Sequence, residues 1–308
     1  MTKYIIRRLL QMIPVILGST FLIFAMVFAL PGDPLAGKCG ERPCPAAFAE
    51  KFRADNNLDD PLFIRYFKYL GNLLHGDFGT TFQGLNILDE LQKRYVITLK
   101  LAIIALLFET VVGIAAGVLS GIRKGKFIDN LVLISTLVVI SIPIFVIGSL
   151  SQTVFGLRLG WFPVTVKNPP GWYDLLLPGL VLGSLSLAYA ARLTRTNLSE
   201  NLRADYVRTA VAKGLTRRRV IGVHTLRNSL IPVVTFLGAD FGGLLGGAIV
   251  TERIFNIRGV GGYIFTSIHN RDGVAVVGAV TMLVIVYLFM NLIVDLLYGV
   301  LDPRISHD

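Results

Sequence analysis

NLRADYVRTAVAKGLTRRRVIGVHTLRNSLIP, residues 201–232, is polar and basic, yet it lies between two long apolar segments. A basic stretch in that position reads as a cytoplasmic loop with structure of its own. Tyr206, Val207, Ala210 and Val211 recur at helical spacing and form one apolar stripe, while Asp205, Arg208, Thr209 and Lys213 fall on the other face. Asp205 stands in the first turn and Lys213 in the last, the signs that suit the helix dipole. Gly214 then supplies a left-handed stop, and Thr216 can cap the next helix. The stretch predicts a helix, a tight turn and a second helix, with a face suited to a groove in a partner. A plain basic amphipathic loop resting on an anionic membrane surface is the blander alternative.

Working outward, composition makes the chain an integral membrane protein. Its 308 residues are 53% hydrophobic and 16% charged, with a mean hydropathy of +0.64, too apolar for a soluble domain of this size. The formal charge of +10 does not point to nucleic acid. The basic residues cluster in short loops beside apolar spans, where they set orientation. Cys39 and Cys44 share one Pro-rich loop; in an oxidising compartment they can pair, and otherwise they stand as two thiols.

Six spans are expected, giving an all-α membrane protein. Residues 9–30 form the first, preceded by Lys3, Arg7 and Arg8, which puts the amino terminus in the cytoplasm and reads as a retained anchor rather than a signal peptide. Residues 32–95 have no apolar run long enough to cross and read as an external subdomain with short surface helices. Residues 98–122 form the second span, with Gly113, Gly117 and Gly121 making one bare packing face. Glu109 lies inside it, either as a structural hydrogen-bonding group or as part of a transport path, and the structural reading is preferred because no partner is visible. The third span covers residues 128–155 with a kink expected at Pro143, the fourth residues 175–193, the fifth residues 232–251 and the sixth residues 276–300. Both termini are expected inside.

No acceptable nucleotide-binding motif appears. GDPLAGKC at residues 32–39 nearly fits a phosphate-binding loop, but it follows a membrane span and has Cys39 where Ser or Thr is needed. His75, His224, His269 and His307 are scattered, and no HExxH or GxSxG run occurs, so neither a metal site nor a catalytic centre is expected.

Arg208-Thr209-Ala210, three residues, then Gly214 resembles the EAA loop of ABC importer permeases, the cytoplasmic helix that docks on the ATPase subunit. Arg208 and Thr209 replace the Glu and Ala of the general pattern, and Pro232 lies further beyond the glycine than its Pro. DYVRTAVAKGL followed by LRNSLIPVVT resembles the version in peptide permeases. LPGDP, LDDPL and GDFGTT resemble the first external segment of dipeptide and oligopeptide permeases, and TERIFNIRGVGGYIF resembles a second signature whose glycines permit a compact external turn.

The resemblance covers almost the whole chain and implies an ABC importer type I permease core. On that reading residues 1–97 hold the first span and external subdomain, residues 98–302 the five-helix core, and residues 194–231 its coupling loop. It implies a bacterial inner-membrane subunit that moves di- or oligopeptides without an ATPase site of its own. The implied partners are a homologous second permease subunit, two ABC ATPase domains that hold ATP and Mg, and an extracytoplasmic peptide-binding protein, in a lipid membrane. Asp205, Tyr206, Arg208, Thr209, Ala210, Lys213 and Gly214 are the expected coupling residues. Asp240, Glu252 and Asp295 are candidates for a translocation path. Nickel or another small solute is the alternative cargo. A secondary transporter is the alternative class, which Asp240 and Asp295 would serve as intramembrane carboxylates.

Overall fold

A computed structural model describes residues 2–29, 44–55, 57 and 59–301. The chain is nearly all helical, and no strand occurs among the described residues. In order, α1 is Thr2–Phe28, α2 Ala46–Asp55 and α3 Leu62–Leu74. Then come α4 Ile87–Ile122, α5 Phe127–Ser141, α6 Ile144–Arg158 and α7 Leu176–Asn201. After these lie α8 Asp205–Ala212, α9 Arg217–Leu245, α10 Ile249–Ile254, α11 Val260–His269 and α12 Gly273–Leu301. Among the described residues five helices (α1, α4, α7, α9 and α12) are long and apolar enough to cross a membrane, and α5 with α6 makes a sixth candidate. That agrees with the expected all-helical, six-span architecture.

The sequence misjudged several boundaries. The second span starts at Ile87 rather than residue 98, because its first turns are polar but well capped: Asn86 Oδ1 accepts from the Leu88 N–H at 2.8 Å, and Asp89 and Glu90 fall in the first turn. The kink expected at Pro143 is a break. Helices α5 and α6 meet at 101°, since proline disfavours a helical conformation in the residue before it, and Ile142 adopts φ −99 and ψ 127. The helix carrying the fifth span starts at Arg217, so Pro232 lies inside it rather than at its start.

The core is the packing of α4 on α7. A Cβ on Gly117 would fall 2.5 Å from the Ala191 carbonyl oxygen, so only glycine lets the two backbones approach this closely. Leu101, Leu175, Leu177, Val181, Phe255 and Ile257 form one buried cluster that joins α4 and α7 to the segment after α9. The first span is not a detached anchor. Tyr66 on α3 donates to the Leu17 carbonyl at 2.8 Å and shares a 2.9 Å hydrogen bond with Thr20, while Tyr69 donates to Thr281 on α12 at 2.8 Å. Leu107, Val111, Ile134, Leu150 and Phe289 remain exposed on the outer helix faces, the surface that lipid or another membrane subunit covers.

Candidate functional site

Helix α8 ends where the sequence places its stop. Gly214 has φ +79, its N–H bonds the Val211 carbonyl at 2.9 Å and the Leu215 N–H reaches the Ala210 carbonyl at 3.3 Å. This pair of bonds is the left-handed capping motif that glycine enters without strain. Thr216 occupies the cap of the next helix with extended backbone, but its side chain makes no capping bond.

The apolar stripe of α8 divides in two. Val207 and Ala210 are buried, packed on Val220 and Leu215 of the same chain. They hold the helix against the start of α9 rather than facing a partner, which corrects the expectation of a single docking stripe. What α8 offers outward is Tyr206 and Val211, at 38% and 59% exposure, with Asp205, Arg208, Thr209 and Lys213 also exposed. Asp205 and Arg208 form a solvent-exposed pair at 3.4 Å that adds little stability. The end of α7 is tied to α9 by Asn201, whose amide donates to Ser229 at 3.1 Å.

Beside this loop lies an arrangement that sequence reading missed. Asp129 on α5 is buried and accepts from Ser120 Oγ at 2.5 Å, the Gly125 N–H at 2.7 Å, Arg195 Nε at 2.5 Å and Arg195 Nη2 at 2.8 Å. The turn between α4 and α5 is thereby fastened to α7, which leads directly into α8. A lone Asp at the head of an apolar helix gives no sign of an arginine 66 residues away.

The three path candidates separate. Asp295 carries a side chain that lies outside the described residues. Glu252 on α10 is fully buried and accepts from Thr98 Oγ1 at 2.8 Å and from the Gly262 N–H at 2.7 Å. Thr98 Oγ1 in turn accepts from the Val260 N–H at 3.0 Å. This clasp pins the segment after α9 onto α4. A Cβ on Gly259 would fall 2.3 Å from the Glu252 carboxylate, which is what the glycines of the GVGG run provide. Burial raises the Glu252 carboxyl above the usual carboxylate range, opposed by those hydrogen bonds. Asp240 on α9 is half-buried and lies within reach of Glu109 on α4. Glu109 thus faces a second carboxyl that the sequence did not reveal, although neither of its oxygens hydrogen-bonds a described residue.

At the end of the core opposite α8, a cleft of about 870 Å³ opens between the start of α4 and residues 252–272. Arg253, Arg258, His269 and Arg271 on its wall are exposed. Its acidic groups are engaged. Glu90 pairs with Arg94 at 2.9 Å, Glu252 closes the clasp, and Asp272 accepts from the Phe82 and Ala275 N–H groups. Arg94 also stacks over Tyr263 at 4.6 Å, and burial pushes that phenol up to about 12. The wall thus presents net positive charge. Cys39 lies outside the described residues, as does the 32–39 run, so a Cys39–Cys44 bond is not described. No group of three metal-ligating side chains occurs among the described residues.

Two family models together match nearly the full length. One, described as the binding-protein-dependent transport system inner membrane component, covers residues 113–307, and the model of the corresponding N-terminal region covers residues 1–102. The chain is similar to the dipeptide transport system permease protein DppB of Alkalihalophilus pseudofirmus, 36% identical over 334 residues with 100% of both chains covered. It is 36% identical over 337 residues to the DppB of Escherichia coli K12, covering 100% of this chain and 99% of that one. The glutathione transport system permease protein GsiC of Escherichia coli K12 is also 36% identical, over 308 residues and all of both chains.

Proposed function

The chain belongs to the family of binding-protein-dependent transport system inner membrane components, and on that premise we propose that it is a permease subunit of an ATP-driven importer of short peptides. The observation that carries the reading is the placing of two unlike faces at opposite ends of one helical core. At one end α8 presents Tyr206, Arg208 and Val211 on a rigid stop; at the other a polar cleft opens. Such a subunit forms a path and receives force, while the chemistry of hydrolysis belongs to partners.

In this reading the exposed side of α8 docks on an ATPase domain, and Gly214 fixes its angle to α9. The ATPase domains hold ATP and Mg, a second permease subunit completes the path, and an extracytoplasmic binding protein delivers the peptide to the cleft end. The basic turns near Lys124 and Arg218 support a cytoplasmic side for the α8 end and for both termini. The printed names of the relatives support short peptides as the cargo class.

The test is reconstitution in proteoliposomes. Uptake of a labelled dipeptide should require this chain, its permease partner, the ATPase subunits, external binding protein and internal ATP. Uptake driven by an ion gradient without ATPase subunits would replace the reading with a secondary transporter.

A further inference from the structure

Glu109 and Asp240 sit on the seam between α4 and α9. Ala105 and Leu106, one turn before Glu109, pack with Phe241 and Leu244 of α9, and Leu106 also meets Leu237. Asp240 lies between those α9 contacts and comes within hydrogen-bonding reach of Glu109, with Ser186 of α7 beside both. Glu109 is fully buried. Neither of its carboxyl oxygens, nor Asp240 Oδ2, makes a hydrogen bond of good geometry with a described residue. A regular α-helix also gives way to a wider π turn over Glu109–Gly113, a local change often found at functional positions.

The charges facing this pair are few. Asp240 from α9 and Ser186 from α7 are the polar groups that act on Glu109, and no Lys, Arg or His acts on either carboxyl among the described residues. From α12, Tyr287 and Asn291 approach α9 at Gly242; the Asp295 side chain lies outside the described residues. Two carboxylates held together in a seam with no cation among the described residues would repel each other, and the buried one would bear a desolvation cost as well. One proton shared between them removes one charge and supplies the missing hydrogen-bond donor.

We propose that Glu109 and Asp240 together form a proton-binding site in the membrane core of this subunit. The half-buried Asp240 is the entrance, and the fully buried Glu109 holds the proton as a neutral acid that donates to Asp240. The uptake step transfers one proton from hydronium to a Glu109 oxygen and releases water; no other bond changes. Separating α4 from α9 would let water reach the pair and return the proton, so any step of the cycle that opens this seam is linked to proton release.

The experiment is infrared difference spectroscopy on the importer complex reconstituted in lipid, wild type minus Glu109→Gln, at neutral pH in light and heavy water. The expected result is a protonated-carboxyl carbonyl band, isotope-sensitive, that the variant lacks. Asp240→Asn should keep a carboxyl band at a shifted frequency, because the acid remains while its acceptor changes. If Glu109→Gln does not assemble, wild type minus Asp240→Asn, followed from ~pH 5 to ~pH 9, decides instead: an acid band that shifts with Asp240 belongs to this pair and not to another buried acid such as Glu252, and an ordinary exposed Glu, ionising near pH 4.3, shows none in that window. A difference spectrum containing only carboxylate bands would overturn the site, as would a wild type without an acid band at any of these pH values. A band that appears only after sodium is withdrawn would make this a metal-cation site and overturn the proton assignment.

Discussion

Asp129 receives Arg195 through two hydrogen bonds, at 2.5 Å from Nε and 2.8 Å from Nη2, so that α5 and α7 are locked together just before α7 runs into α8. The carboxylate is 1% exposed and the guanidinium 18%. Removing one partner strands the other, so Asp129→Asn should lower the stability of the complex by about 3 kcal/mol. Arg195→Gln should cost a similar amount and the double variant much less than the sum. Thermal unfolding of the purified complex, with all four forms compared, checks this; additive losses would mean that the pair is not coupled.

Gly214 at φ +79 has open space around it, so a side chain there meets backbone strain rather than a clash. Gly214→Val should cost roughly 1–2 kcal/mol locally and tilt α8. The expected outcome is an assembled complex whose ATP hydrolysis no longer responds to peptide-loaded binding protein. Wild-type uptake by this variant would reduce the loop to a connector.

Because Ala210 packs inside the chain and Val211 points out, the two positions should behave differently. Ala210→Asp should loosen the loop itself, seen as faster proteolysis in the isolated subunit. Val211→Asp should leave the subunit intact and weaken co-purification of the ATPase. Identical behaviour of the two variants would contradict the division of the stripe.

Thr98→Val removes the donor to Glu252 and the acceptor for the Val260 N–H in one change. The Glu252 oxygen that Thr98 satisfied and the Val260 amide, left without those partners, should cost on the order of 1–3 kcal/mol each. Residues 253–272 should then become accessible to protease in intact proteoliposomes while residues 201–232 do not. Unchanged cleavage would show that the segment is held by its apolar contacts alone.

Orientation is checked by impermeant thiol reagents in a Cys-free background. A cysteine at Arg218 should react only in inverted vesicles and one at Asn57 in intact cells. The reverse pattern would invert the assignment of faces.

Much of this protein could be read in its sequence because membrane solvent imposes strong rules. Long apolar runs must be helices, since only helices satisfy their own backbone polar groups in lipid. The stop at Gly214 could be read too, because a glycine after a helical stripe carries its conformation locally. The break at Pro143 was visible as a proline but not as a 101° bend, since the angle depends on what α6 packs against. The start of α4 is not legible in the sequence, because charged residues mask a helix that the Asn86 cap secures.

Sequence alone determined the class, the number of candidate spans and the family, all properties of short-range pattern and composition. Tertiary structure alone decided which residues meet: Asp129 with Arg195, Thr98 with Glu252, Glu109 with Asp240, and which half of the α8 stripe turns inward. These pairs lie far apart in the chain, and a buried charge or carboxyl shows its partner only once the helices have packed around it.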